Sequence, residues 1–482
     1  VKKNYVTFNG GYNVSSTDLR SHGYSVLGFP ADELNDPGFG LDYHPEKKPT
    51  GNSELSRMAG FFGNLNYTYD NRYFADFSVR ADASSRFGAD KRWAVFWSAG
   101  VGYNLHNEVF LKKLEWVSLL RLRASYGVTG GQNFNPYQAM TTYRFITDKW
   151  YGYGSGAEML ALGNDDLKWQ STVQKNFGLD LGMWKDRLTL TFNYYHKLSE
   201  NSLTDVTLPP SLGFPSYKEN LGEVVNEGWE FTLRGFVVKK EDFNIMLSVN
   251  GAQNNNKLKK ISNSLKAFNE EQDKQVENKV MARYVEGQSL NTIWVVRSLG
   301  IDPANGKELF LDKNGKRTYD WNADDYVAEA TTDPRLYGNL GLGIFYRGFS
   351  LNTYVNYSLG EKAYNQTLVD RVENADKHYN CDRRVLYDRW HKPGDETFFK
   401  DVKDASVTRP TSRFVQKNNY LNMTSLNVAY EFNPRLLEPL RIKYLKLAFY
   451  MTDLFRISTM KAERGLDYPF ARTFTTSLQI RF

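Results

Sequence analysis

Polar and apolar residues alternate strictly along Gln174–Lys197. Phe177, Leu179, Leu181 and Met183 share one parity, and Gly178, Asp180 and Gly182 take the other. Beyond Lys185-Asp186 the pattern resumes. Leu188, Leu190, Phe192 and Tyr194 alternate with Thr189, Thr191, Asn193 and Tyr195. A period of two sustained over about ten residues per arm fits strands rather than helices. The short polar link between the arms predicts a hairpin. Both arms exceed the usual length of a globular strand and suit a tilted crossing of a bilayer.

The same test predicts about fourteen strands, near 2–13, 55–69, 72–83, 92–106, 117–128, 172–184, 187–199, 226–238, 241–257, 337–347, 349–363, 416–433, 441–456 and 470–482. The links between them are sorted. Short ones lie near Asp70-Asn71, Lys185-Asp186, Lys239-Lys240 and Arg347-Gly348, with two longer turns at 107–116 and 434–440. Long ones cover 14–54, 129–171, 200–225, 258–336, 364–415 and 457–469. The link at 84–91 is the short exception on the long side. Antiparallel up-and-down topology puts alternate links at opposite ends. Short turns at one end and long loops at the other are the pattern of an outer-membrane β-barrel, with the turns periplasmic. A soluble sandwich has no reason to sort its loops, and loops above about 15 residues are uncommon in compact domains. The fold class expected is therefore all-β, a transmembrane antiparallel up-and-down barrel.

Composition agrees. Aromatics make up 15% of the 482 residues, enough for girdles at both membrane interfaces. No apolar run approaches the length of a membrane-spanning helix. The formal net charge of +6 is spread without a basic block, which argues against nucleic acid. The lone Cys381 excludes an internal disulfide and a cysteine-based zinc cluster. The chain opens at Val1 inside a strand-like run, so an N-terminal part is expected to be missing.

Several segments, in order, resemble the SusC/RagA-like TonB-dependent transporters of Bacteroidetes outer membranes. They include SSRFGADKRWAVFWSAGVGYNL (84–105), LRLRASYGVTGGQN (120–133), GNDDLKWQSTVQKNFGLDLGMWKDRLTLTFNYYHKLSENSL (163–203), NLGEVVNEGWEFTL (220–233), VEGQSLNTIW (285–294), DPRLYGNLGLGIFYRGFSL (333–351), RWHKPGDETFF (389–399), SRFVQKNNYLNMTSLNVAYEF (412–432) and the final YPFARTFTTSLQIRF. The likeness covers roughly 84–482, with small departures at Trp97 and Asn422. It implies that residues 1–482 form the C-terminal portion of a barrel. About fourteen of twenty-two strands would be present, while the signal, TonB box, plug and first strands lie outside. It also implies a SusD-like lipoprotein lid, energy from TonB through the plug, and dimers of transporter–lid pairs.

No catalytic, cofactor or metal constellation stands out. The six histidines are scattered, with no HExxH. Asp302–Gly306 and Asp312–Gly315 read better as turns than as calcium loops. Candidate substrate or lid contacts are Trp150, Tyr151 and Tyr153 in the 129–171 loop, where aromatic faces suit sugar rings or peptide side chains. Asp388, Arg389 and Trp390 in the 364–415 loop are candidates of the same kind, against a scaffold role built on Pro393-Gly394 and ion pairs. Arg80, Asp82, Arg121, Arg123, Asp180 and Arg234 have lumen parity, because a charge facing lipid at midplane is costly. The function expected is TonB-dependent import of a large oligosaccharide or peptide across the outer membrane. The alternatives are a passive porin-type channel or a soluble β-rich carbohydrate-binding protein.

Overall fold

The computed structural model describes residues 3–482 except 35, 133–134, 153, 166, 202, 208–215, 221, 262, 275–277, 377, 379, 462 and 464–469. Fourteen strands run in chain order through one antiparallel sheet. They are β1 (Asn4–Gly23), β2 (Thr50–Tyr69), β3 (Tyr73–Ser84), β4 (Trp93–Asn104), β5 (Val117–Gly131), β6 (Gln170–Met183) and β7 (Leu188–Glu200). The path continues through β8 (Gly222–Lys239), β9 (Phe243–Ile261), β10 (Leu336–Tyr346), β11 (Phe349–Leu359), β12 (Tyr420–Glu431), β13 (Tyr444–Thr452) and β14 (Phe474–Arg481). A short strand at Arg456–Ser458 pairs with β12 beyond a break at Asp453. Among the described residues, β1 and β14 each have one neighbour in the sheet.

The register sorts side chains onto two unlike faces. Leu120, Leu181, Leu190, Leu233, Val249, Leu340, Val355 and Met423 stand directly opposite one another across successive strands. On the other face a second row runs Asn104, Arg121, Asp180, Thr191, Thr232, Asn250, Asn339, Asn356 and Asn422. A one-residue slip would send each set to the wrong side, so the two rows fix the pairing. The apolar face is uncovered: Phe8, Tyr12, Phe61, Val95, Val101 and Phe177 are all more than half exposed. The accessible surface is 30989 Å², against roughly 18,000 Å² for a compact soluble chain of this size. An apolar surface of this extent marks a site meant for a non-aqueous medium.

Aromatic clusters edge the apolar band. At the turn end Tyr73 stacks on Tyr103 at 4.7 Å and Tyr430 meets Phe432 at 4.8 Å. Toward the loop end Phe61 stacks on Trp93 at 6.3 Å and Trp97 packs on Tyr126 at 5.6 Å. Rings that are apolar in body and polar at the tip belong at such an interface.

Three details differ from the sequence expectation. First, β1 and β2 are 20 residues each, about 66 Å at the usual rise per residue and far beyond the hydrocarbon core. The apolar parity of β1 ends at Val14, where the expected strand stopped. Beyond it the same parity carries Ser16, Asp18, Arg20 and His22, opposite Arg57, Leu55, Ser53 and Gly51, so the apolar alternation fades while the ladder continues. Second, the turn at Lys185-Asp186 spans four residues, because Met183 pairs with Leu188. Trp184, Lys185 and Asp186 all take positive φ, at 52°, 58° and 60°, which costs about 1 kcal/mol or more per residue. Ser118 offsets part of this: its hydroxyl donates to Asp186 Oδ1 at 2.7 Å and accepts from the Asp186 amide at 3.2 Å. Third, the long links carry structure of their own. Residues 258–336 hold a helix, Asn263–Lys274, and a four-stranded sheet of Thr292–Ile301, Glu308–Leu311, Arg317–Thr318 and Tyr326–Thr331.

Leu190 and Thr191 are neighbours in sequence and lie on opposite faces. Nitroxide labels at Leu190→Cys and Thr191→Cys in membranes should therefore differ, the first relaxed by oxygen and the second by a water-soluble nickel chelate. Equal accessibility at the two positions would be inconsistent with this register.

Candidate functional site

All six charged residues assigned to the lumen share the polar face, and the fold brings four of them together in pairs. Arg123 donates from Nε to Asp180 Oδ2 at 2.9 Å and from Nη2 to Asp180 Oδ1 at 3.1 Å. Its Nη2 also reaches Asn193 Oδ1 at 3.2 Å. Gly178 makes this possible, since it lies opposite both Arg123 and Asn193. A Cβ there would fall 2.9 Å from the guanidinium. Arg80 donates from Nε to both oxygens of Asp82, at 2.7 and 2.6 Å. Asp82 is buried and occupies the room left by Gly60, where a Cβ would lie 2.1 Å from its Oδ1. Arg121 donates to Asn104 Oδ1 at 2.7 Å and lies over the Phe74 ring. Arg234 stands opposite Thr189 and Ser248 on the same face. Arg80, Asp82, Arg121, Arg123 and Asp180 are thus tied down by hydrogen bonds on this face.

Two packed cores lie in the loops, and a third joins Leu265 of the helix to Val224 and Leu258 at the loop ends of β8 and β9. Phe87, Ala139, Leu167 and Trp169 form one, with Phe87 and Trp169 at 4.5 Å and Trp169 Nε1 donating to the Arg92 carbonyl at 2.9 Å. This cluster ties the short link after β3 to the base of the long loop after β5. Beyond it, Thr142–Tyr151 and Gly154–Ala161 form a two-stranded hairpin. Trp150 and Tyr151 lie in its first strand, paired with Ser155 and Gly154, and their side chains are outside the described residues, as is all of Tyr153. Tyr143, Phe145 and Leu160 on the same hairpin are more than half exposed.

A larger core joins Val369, Val372, Val385, Phe399 and Phe414. Arg389 holds this loop together from inside. It is 4% exposed and donates to the carbonyls of Val385 at 2.8 Å, Lys400 at 3.0 Å, Glu373 at 3.2 Å and Val372. Its guanidinium is therefore committed to main-chain carbonyls, and burial pushes its pKa down. Asp388 sits at φ 54° and accepts from the Phe398 amide at 3.1 Å. Trp390 is half-buried; its indole donates to the Pro303 carbonyl at 2.9 Å and its ring fills the space above Gly306. The Asp302 and Asp312 segments are turns closed by their own carboxylates, onto the amides of Ala304 at 2.8 Å and Lys316 at 2.8 Å. No cluster of metal-ligating side chains occurs among the described residues.

The two loops after β9 and β11 are locked by an ion triad that sequence reading missed. Arg413 donates to Glu308 from Nε at 3.1 Å and from Nη2 at 2.7 Å, and to Glu373 at 2.6 Å. All three side chains are at least nine-tenths buried. Burial opposes the Arg413 charge, but the two carboxylates outweigh it and raise its pKa. Thr411 adds a bond to Glu308 at 2.7 Å. Partners separated by 105 and 40 residues leave no local signal. Beside the triad, Lys400 is buried and donates to Ser406, and burial pushes its ammonium below the usual lysine range. Between the loops lies a cleft of about 900 Å³ lined by Tyr319, Trp321, Trp390, Lys307, Asp404 and Arg409, with Arg409 4.9 Å from the Trp321 ring centroid. It combines aromatic walls with charges of both signs.

Arg413→Leu leaves two buried carboxylates facing each other and should weaken the loop module by about 3–5 kcal/mol. Amide exchange at Val369–Glu373 and Val415–Lys417 should rise while β6 and β7 keep their protection; unchanged exchange would rule out a locking role. Gly178→Val should displace Arg123 from Asp180. A cost of about 1–3 kcal/mol is expected from overpacking, measured as a lower unfolding temperature in detergent, and Gly152→Ala in open space should be near neutral.

Residues 2–374 match the family model described as TonB dependent receptor-like, beta-barrel. TonB-dependent receptor P39 of Formosa agariphila is 24% identical across 91% of this chain and 47% of its own length. TonB-dependent receptor SusC of Bacteroides thetaiotaomicron is 28% identical across 90% of this chain and 45% of its own. The chain thus spans about half the length of these relatives. A solved structure of the RagAB peptide transporter superposes with a TM-score of 0.82 at 25% identity, covering 95% of this chain and 50% of that one. The chain belongs to the TonB-dependent receptor-like β-barrel family, outer-membrane proteins among which it is similar to the SusC and RagA transporters.

Proposed function

We propose that this chain forms the wall and outer loops of a TonB-dependent importer for a large nutrient, an oligosaccharide or a peptide. The observation that carries the reading is the division of the sheet. An unbroken apolar row lies on one face, which we assign to lipid, and Arg80, Asp82, Arg121, Arg123, Asp180 and Arg234 share the other, which we assign to the lumen. Fixed lumenal charges suit a water-filled path and a plug docked against the wall, because they need no reorganisation when the plug moves. The one-sided pairing of β1 and β14, and the greater length of the relatives, support a larger barrel in which further strands and a plug complete the lumen. In this orientation the short turns are periplasmic and the packed loop module is extracellular.

The loops are where the ligand would be held. Trp390, whose ring lines the cleft, is the strongest contact among the sequence candidates. Arg389 and Asp388 act behind it by shaping the loop. The exposed aromatic hairpin with Tyr143 and Phe145, whose first strand ends on Trp150 and Tyr151, suits a protein lid of the SusD type. A dimer of transporter–lid pairs is part of the same proposal. Bond chemistry is not: the chain acts by binding and by gating.

Two measurements test it. Deleting the locus should abolish growth on one class of defined glycans or peptides, and loss of TonB should do the same. The whole protein in planar bilayers, plug retained, should show no steady conductance. A constant open current would replace the importer with a passive channel.

A further inference from the structure

The apolar face carries a depression at its turn end that the import reading does not use. Where the row Leu190–Leu233–Val249 approaches the turns, Gly235 stands directly between Leu188 and Leu247. With no side chain it leaves a gap, and a Cβ there would fall 3.1 Å from Leu188 Cδ1. The register breaks between Phe236 and Val238, and the extra residue, Val237, is 64% exposed. A bulge bends its strand and re-aims the side chains beside it. Trp116 and Trp184 rise on the opposite flank, both about half exposed. The result is a trough of about 1090 Å³ floored by aliphatic side chains and open to the surroundings. Its polar rim is unbalanced: Lys185, Arg187 and Lys239 line it against the single acid Glu115.

We propose that this trough holds one acyl chain of an anionic glycerophospholipid, its phosphate held by the Lys185–Arg187 turn. The floor is apolar and continuous with the lipid-facing row, so its occupant must be hydrocarbon where it lies against Leu188, Leu233 and Val249. The rim is cationic, so the head attached to that hydrocarbon is negative. Indole rings on one flank are the side chains that favour the boundary between acyl and head-group layers. The choice of phosphatidylglycerol over a zwitterionic lipid follows from the rim charge alone, since both have the same tails. Placement in the inner leaflet rests on the orientation proposed above.

The test is native mass spectrometry of the whole transporter, purified from outer membranes in mild detergent and titrated with phosphatidylglycerol or phosphatidylethanolamine. Wild-type protein should retain one phosphatidylglycerol more tightly than phosphatidylethanolamine. The variant K185Q/R187Q, altered only on an exposed turn, should lose that preference, by about fivefold per charge removed. Gly235→Leu, which fills the floor, should release both lipids from the site. Equal retention of the two lipids by wild type, or unchanged phosphatidylglycerol binding in K185Q/R187Q, overturns the proposal. The orientation is read separately, with Lys185→Cys in a Cys381→Ser background. Labelling by an impermeant maleimide only after the outer membrane is opened places the turn in the periplasm. Labelling in intact cells overturns the leaflet and the orientation beneath it, while lipid preference continues to report on the trough.

Discussion

The constraint on which everything else depends is that a main chain in hydrocarbon must satisfy its own hydrogen bonds. Water is absent there, and an unpaired amide or carbonyl costs several kcal/mol. A continuous antiparallel ladder meets the demand, and every feature of the sheet follows from keeping that ladder in register. The Leu120–Met423 row and the Asn104–Asn422 row are two readings of one alignment. Shifting any strand by one residue would place leucine in the lumen and arginine in lipid. The glycines opposite Arg123 and Asp82 serve the same end, since they let charged side chains cross to partners without pushing strands apart.

A sheet that spends one face on lipid and the other on water has little left with which to build a core. This explains an inversion relative to soluble proteins: most of the best-buried residues lie in the loops. Phe87 with Trp169, and Phe414 with Val369 and Val372, are enclosed almost fully, while the strands expose most of their apolar side chains. Loops of such length would be expensive to order if left solvated. Here they fold on one another through apolar clusters, the Arg389 carbonyl cage and the Glu308–Arg413–Glu373 triad. A buried pair of charges is weak evidence for stability by itself. A triad joining two loops does define how they sit together, and so shapes the cleft beside Trp390.

Much of the strand map was legible because lipid imposes a rule on alternate residues. All fourteen expected strands are present, and the sorting of short and long links holds. The errors fall where the rule lapses. Above Val14 the parity that carried apolar residues in β1 turns polar, so the expected strand ended early. Inside the long loops the alternation is too brief to read, and the sheet around Thr292–Ile301 went unseen. Arg389 illustrates the limit for single residues: its type suits a ligand contact, and only its surroundings reveal a structural guanidinium enclosed by four carbonyls.

The sequence by itself determined the fold class, the two faces of the sheet and the end at which the loops gather. Period-two patterning is local, and each strand declares its own inward and outward residues without reference to the others. The tertiary structure alone decided which charges meet, where the cleft opens and which side chains are spent on scaffolding. Those depend on residues as far apart as Glu308 and Arg413, or Arg80 and Asn13, brought together by strand order and loop packing. Distance along the chain carries no trace of such meetings, because the ladder that creates them is indifferent to what hangs from it.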